Sequence, residues 1–565
     1  MLNIGIDFGS TYTVVSAYQS ETGKLEPVIL ELSTPYVPSV VASRDGNMDS
    51  LRFGTAAKNA AGRKGIHTYK AFKMLLGESD DSTFLEKRGY TKECAPAVIA
   101  EKFLNDLIRR VLDHYGERTI ESLAIGAPEI WFNELSPVSG RNLLKEICSR
   151  MECVKKVEVR SEPAAASAYF AYNYERICKK AFEGYILLID YGGGTLDITL
   201  SKVSASEKEN GHQLMEINIK DRQGAGENEE GHIGKAGIAY MESLMEEALR
   251  RNGLLEQNTA VKVDEKFYRA VNELESEIKS RTGEISSVFQ EIGTDALDEL
   301  EEEEFTSIEY EGEDVEITYA LMVEIYDREI RDVLQENLEK SIRFMKKEDI
   351  PYQDQLGENF KIALAGGFGN FYLVRKQVEE TFVFSSVDKR QTDIIVNRSD
   401  CENAISLGMA LLASGVIGIR HTAPYSVGMP YRDISGKYRM NYAIHHRQEL
   451  EEDQLYYQRK ANGRLVPFII SESSFRGLMV DRGGENGGAV LVPYKEPIRR
   501  KLESAANAGY ELAAIAFSLD RADVLSVYIG EYDPDTGQAG KMERFELADY
   551  EEMFDSSRST RFSEL

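Results

Sequence analysis

The chain has 565 residues, 42% hydrophobic and 29% charged, and a formal net charge of −28. That length is too great for one hydrophobic core, so several domains are expected, in a globular composition with no apolar run approaching a membrane span. So acidic a surface repels nucleic acid and anionic membranes, and neither is expected as a partner. It also repels free nucleotide, so a nucleotide site here needs local donors and a metal.

Five cysteines (Cys94, Cys148, Cys153, Cys178 and Cys401) are scattered with no CxxC, which suits a reducing compartment better than a disulfide framework. Met1-Leu2-Asn3 runs straight into a strand pattern, so no signal peptide is expected and the expected location is cytoplasmic.

In chain order, residues 1–18 read as a strand hairpin. Pro96–Tyr115 carries apolar residues at helical spacing. Leu123–Ala127 is a short strand, Gly140–Arg150 a helix, and Val157–Arg160 another strand. Ser161-Glu162-Pro163 then opens an Ala-rich helix, with Ser as cap and Pro in the first turn. A second hairpin begins at Tyr185–Ile189. Helical stretches follow at Gly237–Arg251, Lys266–Arg281 and Tyr319–Lys347. The strand Lys361–Leu364 runs into Gly366-Gly367 and a helix from Tyr372, and another helix covers Asn403–Ala413. The acidic run Asp298–Glu304 reads as a solvated loop. Beyond Arg420 short strands and turn signals dominate, with Asp533-Pro534-Asp535-Thr536-Gly537 between Val524–Tyr532 and Lys541–Leu547. One helix, Pro497–Ala508, interrupts them.

The two hairpins repeat one pattern. Ile4-Gly5-Ile6-Asp7-Phe8-Gly9-Ser10-Thr11-Tyr12-Thr13 and Leu188-Ile189-Asp190-Tyr191-Gly192-Gly193-Gly194-Thr195-Leu196-Asp197 each join an apolar strand, an Asp, an aromatic, a Gly-rich corner and a second strand. Main-chain amides in such a corner can surround a phosphate, and an adjacent Asp can hold a hydrated cation. No GxxxxGK[ST] occurs and strands follow the turns, so this is neither a Walker loop nor a dinucleotide fingerprint. A lone corner of this kind is usually just a tight turn. Two that match, plus a Gly-Gly turn between strand and helix, carry more weight. Gly366-Gly367 precedes a helix N-terminus, a natural anion site. Glu162 in a first helical turn can simply complement the helix dipole; beside both hairpins a role near a cation is preferred. His445-His446, on opposite faces of a strand, do not suit a shared metal.

These residues resemble the heat-shock protein 70 family, within the actin-like ATPase superfamily. Gly5–Tyr12 matches its first phosphate loop and Asp190–Asp197 its second. Ser161–Ala166 matches its connecting helix and Ala365-Gly366-Gly367 its adenosine turn. The resemblance covers roughly the first 415 residues. It implies an α/β fold: a two-lobed actin-like ATPase with duplicated ribonuclease-H-like cores over 1–414, its second lobe beginning near 185. It further implies a linker at 415–423, a strand-rich domain over 424–555 like a truncated peptide-binding domain, and a polar tail at 556–565.

The resemblance also implies roles. ATP/ADP and Mg²⁺ are the implied cofactors. Asp7 and Asp190 would hold Mg²⁺ through water. Gly9, Ser10, Thr11, Tyr12, Gly192, Gly193, Gly194, Thr195, Gly366, Gly367 and Phe368 would bind the nucleotide, together with Glu275 and Lys279 on the helix that meets the base. Lys73, Glu162, Thr195 and Asp197 are the implied catalytic residues, with Lys73 stabilising charge on the γ-phosphate. Glu275 stands where the family has Lys. Phe368 follows the adenosine turn in place of the usual Ser and Arg; it stacks on a base or is a core aromatic. The expected function is an ATP-dependent chaperone-like machine that hydrolyses Mg-ATP and binds unfolded or extended polypeptide clients, with co-chaperone and nucleotide-exchange partners. The alternative is an ATP-switched regulatory or assembly protein acting on one folded partner.

Overall fold

A computed structural model of the chain describes residues 1–76, 85–86, 88–128, 131, 140–205, 213–225, 235–256, 259, 261–350, 352, 359–382, 394–395, 398–423, 425–432, 438–446, 448–451, 454–460, 462–470, 477–481, 489–519, 525–548 and 560–561. The fold is mixed α/β. The chain divides into two compact units, the first taking in most of the chain up to Gly418 and the second taking in the chain from Ile419 together with short earlier segments that include Leu214–Lys220.

The first unit contains two sheets built on one plan. In the first, Leu2–Phe8 pairs antiparallel with Tyr12–Gln19 on one side and parallel with Ser122–Ala127 on the other, which pairs parallel with Val157–Ser161. In the second, Gly184–Tyr191 pairs antiparallel with Leu196–Ala205 and parallel with Phe360–Ala365, which pairs parallel with Ile394–Ile395. The central strands are covered on both faces, which is why they read as near-continuous apolar runs. Each plan then continues into a helix, Glu162–Cys178 after the first and Arg398–Ser414 after the second.

Small residues let these helices approach the sheets and each other. A methyl group on Gly5 would lie 2.2 Å from the Ala410 nitrogen, and one on Gly408 would lie 2.0 Å from the Ala165 carbonyl oxygen. Ser16 and Ser406 hydroxyls meet at 2.8 Å in the same buried seam. The Glu162–Cys178 helix begins as its sequence predicts: Ser161 Oγ accepts from the Ala164 amide at 3.3 Å, and Pro163 sits in the first turn.

Tyr319–Lys347 is helical throughout, as expected, with a π-helical turn at Asp327–Arg331 between α-helices at Tyr319–Tyr326 and Asp332–Lys347, a register change that apolar spacing does not reveal. Two local expectations are corrected. The acidic run is not a loop; it forms a short helix, Leu297–Glu301, and starts the strand Glu304–Tyr310, because Leu300 and Phe305 are buried. His445 and His446 lie beyond the end of the strand Tyr438–Ile444, where the His446 amide donates to Ser426 Oγ.

The second unit has two antiparallel sheets. One orders Tyr438–Ile444, Ser426–Arg432, Gly477–Asp481, Val490–Pro493 and Thr560–Arg561; the other orders Tyr456–Tyr457, Leu512–Leu519, Leu525–Asp533 and Gln538–Ala548. Tyr425, Val427, Leu478, Val480, Phe517 and Val527 share one core with Ile498 and Leu502 of the helix Glu496–Asn507. The turn at Asp533 forms as read: its carboxylate accepts from the Asp535 amide at 2.9 Å, and Gly537 takes a φ of +70°. Ile417–Thr422, inside the expected linker, is a strand paired with Glu449–Leu450. Apart from Thr560–Arg561, the expected polar tail lies outside the described residues.

Candidate functional site

In the first unit both hairpins turn over four residues. Phe8 pairs with Thr13 across Gly9–Tyr12, and Tyr191 pairs with Leu196 across Gly192–Thr195. The two corners meet. A methyl group on Gly193 would lie 2.0 Å from Thr11 Oγ1, and one on Gly194 would lie 2.9 Å from Ser10 Oγ. In each corner at least two carbonyl oxygens are taken by donors of the protein. Gly9 O accepts from Ser39 Oγ at 2.7 Å and Thr11 O from the Ser39 amide at 2.8 Å. Gly192 O accepts from the Gly237 amide at 3.2 Å and Gly193 O from the Ile238 amide at 2.7 Å. These carbonyls are thereby engaged by donors of the protein instead of facing a phosphate. The corners open on a cavity of about 590 Å³ that Gly366, Gly367 and Phe368 also line.

Gly366 needs its residue type. Its φ is +76°, and a methyl group there would lie 2.5 Å from Tyr191 O and 2.6 Å from Asp190 Oδ1. The amides of Phe368 and Gly369 both donate to Tyr191 O, at 3.0 and 2.9 Å. The adenosine-turn candidate is thus tied by backbone hydrogen bonds to the start of the second corner. The Phe368 side chain packs with Phe371 at 5.5 Å and edge-on to Tyr191 at 5.2 Å, in the apolar core and at the cavity wall.

Asp7, Lys73, Glu162 and Asp190 gather in the same cavity. Lys73 Nζ donates to Glu162 Oε1 at 2.8 Å, with both side chains 5% exposed. Lys73 is not on a helix; it sits in successive turns after the strand Ile66–Lys70, where Ala71 has a φ of +54°. Desolvation raises the Asp7 carboxyl to about 7, aided by Glu162 and opposed by Lys73. Asp190 is pushed well above the usual carboxylate range by burial, then by Glu162, Asp7 and Asp197. Burial works against the Lys73 ammonium, but Glu162, Asp7 and Asp190 outweigh it and raise it. Three carboxylates and one ammonium leave a surplus of negative charge, the condition a divalent cation relieves. Among the described residues no group of three or more His, Cys, Asp or Glu is placed to ligate a metal directly. A donor set of this kind fits Mg²⁺ that keeps much of its water shell.

The cavity is also lined by residues the sequence reading partly missed. Lys58 Nζ donates to Tyr12 OH at 2.9 Å and to Ser276 Oγ at 3.1 Å. Lys279 Nζ stands 3.3 Å over the Tyr12 ring centroid and 3.0 Å from Glu275. Lys70 Nζ donates to Asn272 Oδ1. Glu275 lies below its usual range: burial raises it, but Lys279, Lys58 and Lys70 prevail. Burial pulls Lys70 down to about 8. Close by, Arg88 and Glu242 form a buried pair at 3.4 Å.

Every predicted cofactor-binding and metal residue therefore lines this cavity, as do Lys73, Glu162 and Thr195. Asp197 does not; it sits across the hairpin from Asp190. Lys58, Lys70, Asn272 and Ser276 were not predicted. Asn272, Ser276 and Lys279 share one helix face at steps of four and three with Glu275, and that spacing is the signal that would have found two of them. Lys58 and Lys70 carry no motif.

No protein-family model matches the chain. Heat shock cognate 70 kDa protein 3 of Dictyostelium discoideum is 24% identical over 227 residues, 36% of this chain and 34% of that protein. Chaperone protein DnaK of Psychrobacter cryohalolentis is 24% identical over 234 residues, 38% of this chain and 34% of that protein. The chain thus spans about a third of the length of the curated relatives it matches. The likeness supports a distant relation to the heat-shock protein 70 chaperones.

Proposed function

We propose that this chain is a chaperone-like ATPase: an actin-like, two-lobed domain, with a duplicated ribonuclease-H-like core, that hydrolyses Mg-ATP in the cavity between its two hairpin corners. One observation carries the reading. Two corners from sheets of the same plan come so close that a methyl group on Gly193 would lie 2.0 Å from Thr11 Oγ1, and Asp7, Lys73, Glu162 and Asp190 are among the charged groups that line the cavity they share. The distant similarity to heat-shock protein 70 chaperones points the same way.

In this reading the corner amides grip the phosphates, and the N-terminal end of the helix Tyr372–Phe382 adds its dipole beyond Gly366-Gly367. Asp7 and Asp190 would hold Mg²⁺ through water, and the ion would neutralise phosphate charge when bound. Lys73, fixed by Glu162, places a full positive charge where negative charge grows in the transition state. Thr195 contributes a hydroxyl at the same corner. Asp197 is a positioning residue that acts through Asp190. The buried Lys73–Glu162 pair is already oriented, so little reorganisation accompanies reaction. The strand-rich second unit binds extended polypeptide, and nucleotide state sets that affinity.

The test is phosphate release alongside calorimetry. Lys73→Ala lowers turnover about a hundredfold or more while Mg-ATP still binds. Unchanged turnover would remove Lys73 from the mechanism, and no binding of Mg-ATP to the unmodified protein would end the reading. Anisotropy of an apolar extended peptide, with and without ATP, tests the coupling.

A further inference from the structure

Lys73 stands on turns, where the Met74 amide donates to Ala71 O at 3.0 Å and the Leu76 amide to Lys73 O at 3.1 Å. That backbone does not aim a flexible four-carbon stem, so the ammonium is placed by what it touches. One contact is Glu162. Another is Trp131, whose ring centroid lies 6.0 Å from Lys73 Nζ, at the outer edge of the range in which an indole face attracts an ammonium. Both side chains are buried, Lys73 at 5% and Trp131 at 7% exposed, and loss of water strengthens such a contact.

Both contacts hang from the end of one strand, Ser122–Ala127. Its Gly126 makes room for Glu162: a methyl group there would lie 2.8 Å from Glu162 Cγ. The chain leaving the strand turns at once, and the Trp131 amide donates to Pro128 O at 3.1 Å. The indole is backed by the first residue of the helix Gly140–Ser149, where a methyl group on Gly140 would lie 2.8 Å from the ring carbons Cε2 and Cζ2. Unlike Lys73 and Glu162, Trp131 does not line the cavity, so it reaches a ligand only through the ammonium.

We propose that Trp131 is a positioning residue for hydrolysis: its indole, backed by Gly140, holds the Lys73 ammonium where Glu162 alone does not fix it. The inference rests on the ATP reading above. A further carboxylate in place of the ring would add to the surplus of negative charge around Asp7 and Asp190. An aromatic face attracts the ammonium without adding any.

Two measurements on the full chain test it. Without nucleotide, the emission of the one tryptophan reads the ammonium directly: Lys73→Met shifts its maximum, and an unshifted maximum overturns the assignment whatever the protein hydrolyses. With nucleotide, Trp131→Leu lowers ATP turnover about tenfold and leaves Mg-ADP affinity unchanged, since ADP lacks the phosphate that the lysine serves. The Mg-ADP arm also reports that each variant is folded. Trp131→Phe keeps an aromatic face and most of the turnover, and Gly140→Ala pushes the ring and lowers turnover. Unchanged turnover in Trp131→Leu overturns the assignment, and so do equal losses in Trp131→Leu and Trp131→Phe. Loss of Mg-ADP affinity in step with turnover makes Trp131 merely structural and overturns it. If Lys73→Met shifts the emission but the unmodified protein neither binds Mg-ADP nor hydrolyses ATP, the contact stands, while the ATP reading falls and takes this role with it.

Discussion

The two hairpin corners have the same length, the same Asp and the same flanking pairing, yet their glycines do different work. Gly9 is demanded by its own turn: a methyl group there would lie 2.1 Å from the Tyr12 carbonyl oxygen. Gly192, its counterpart, has only Thr195 O at 3.8 Å, an ordinary contact. In the second corner the constraint comes instead from direct neighbours, where Thr11 crowds Gly193 and Ser10 and Met74 crowd Gly194. One corner carries side chains and the other makes room for them. The glycines of a repeated motif therefore record two histories, local geometry in one copy and shared space in the other. The acidic groups differ too, since Asp7 faces Val14 across its hairpin and Asp190 faces Asp197.

The largest effect expected from this contrast is on stability. Gly9→Ala costs about 3 kcal/mol, because backbone must shift to admit the methyl group. Gly192→Ala stays within about 1 kcal/mol. Urea denaturation of the pair measures the gap, and equal losses would break the comparison. Next comes ligand affinity: Gly193→Ala weakens Mg-ADP about tenfold, and adding Thr11→Ala restores most of it, since the obstruction is the Thr11 hydroxyl. Failure of the second substitution to restore binding would locate the fault within the turn.

A smaller effect separates the acids. The Asp7 carboxyl stands at about 7 in the folded chain against 3.8 as a free group. The folded chain therefore holds a proton that the unfolded chain releases, and nucleotide-free stability falls as pH rises between those values. The cost is absent below 3.8 and complete above about 7. Asp7→Asn lacks it, so the difference in stability between variant and unmodified protein grows across that window; a constant difference would deny Asp7 its burial. The smallest signal is optical. Trp131 is the one tryptophan of the chain and its ring centroid lies 6.0 Å from Lys73 Nζ, so its fluorescence changes when Mg-ATP draws on the lysine, and an unchanged spectrum on saturation with Mg-ATP would contradict this.

What could be read from sequence follows from where the information lies. The hairpins, the Ser161 cap and the Gly366 turn are local, each written in a few consecutive residues, and two copies of one pattern made the first pair conspicuous. Lys73 stands between apolar residues in a turn, and only resemblance to a family singled it out. Lys58 and Lys70 were illegible because their partners are remote: Lys70 and Asn272 are 202 positions apart, and neither lysine belongs to a motif. Asp197 matched the pattern but faces Asp190 instead of lining the cavity, since position in a repeat does not say what a side chain reaches.

A crystal structure with Mg²⁺ and a non-hydrolysable ATP analogue tests the central claim most directly. The account predicts that the β- and γ-phosphates accept hydrogen bonds from main-chain amides of both Gly9–Tyr12 and Gly192–Thr195, with Asp7 and Asp190 facing the metal through water. Phosphates held by one corner only, or a nucleotide bound outside this cavity, would contradict it.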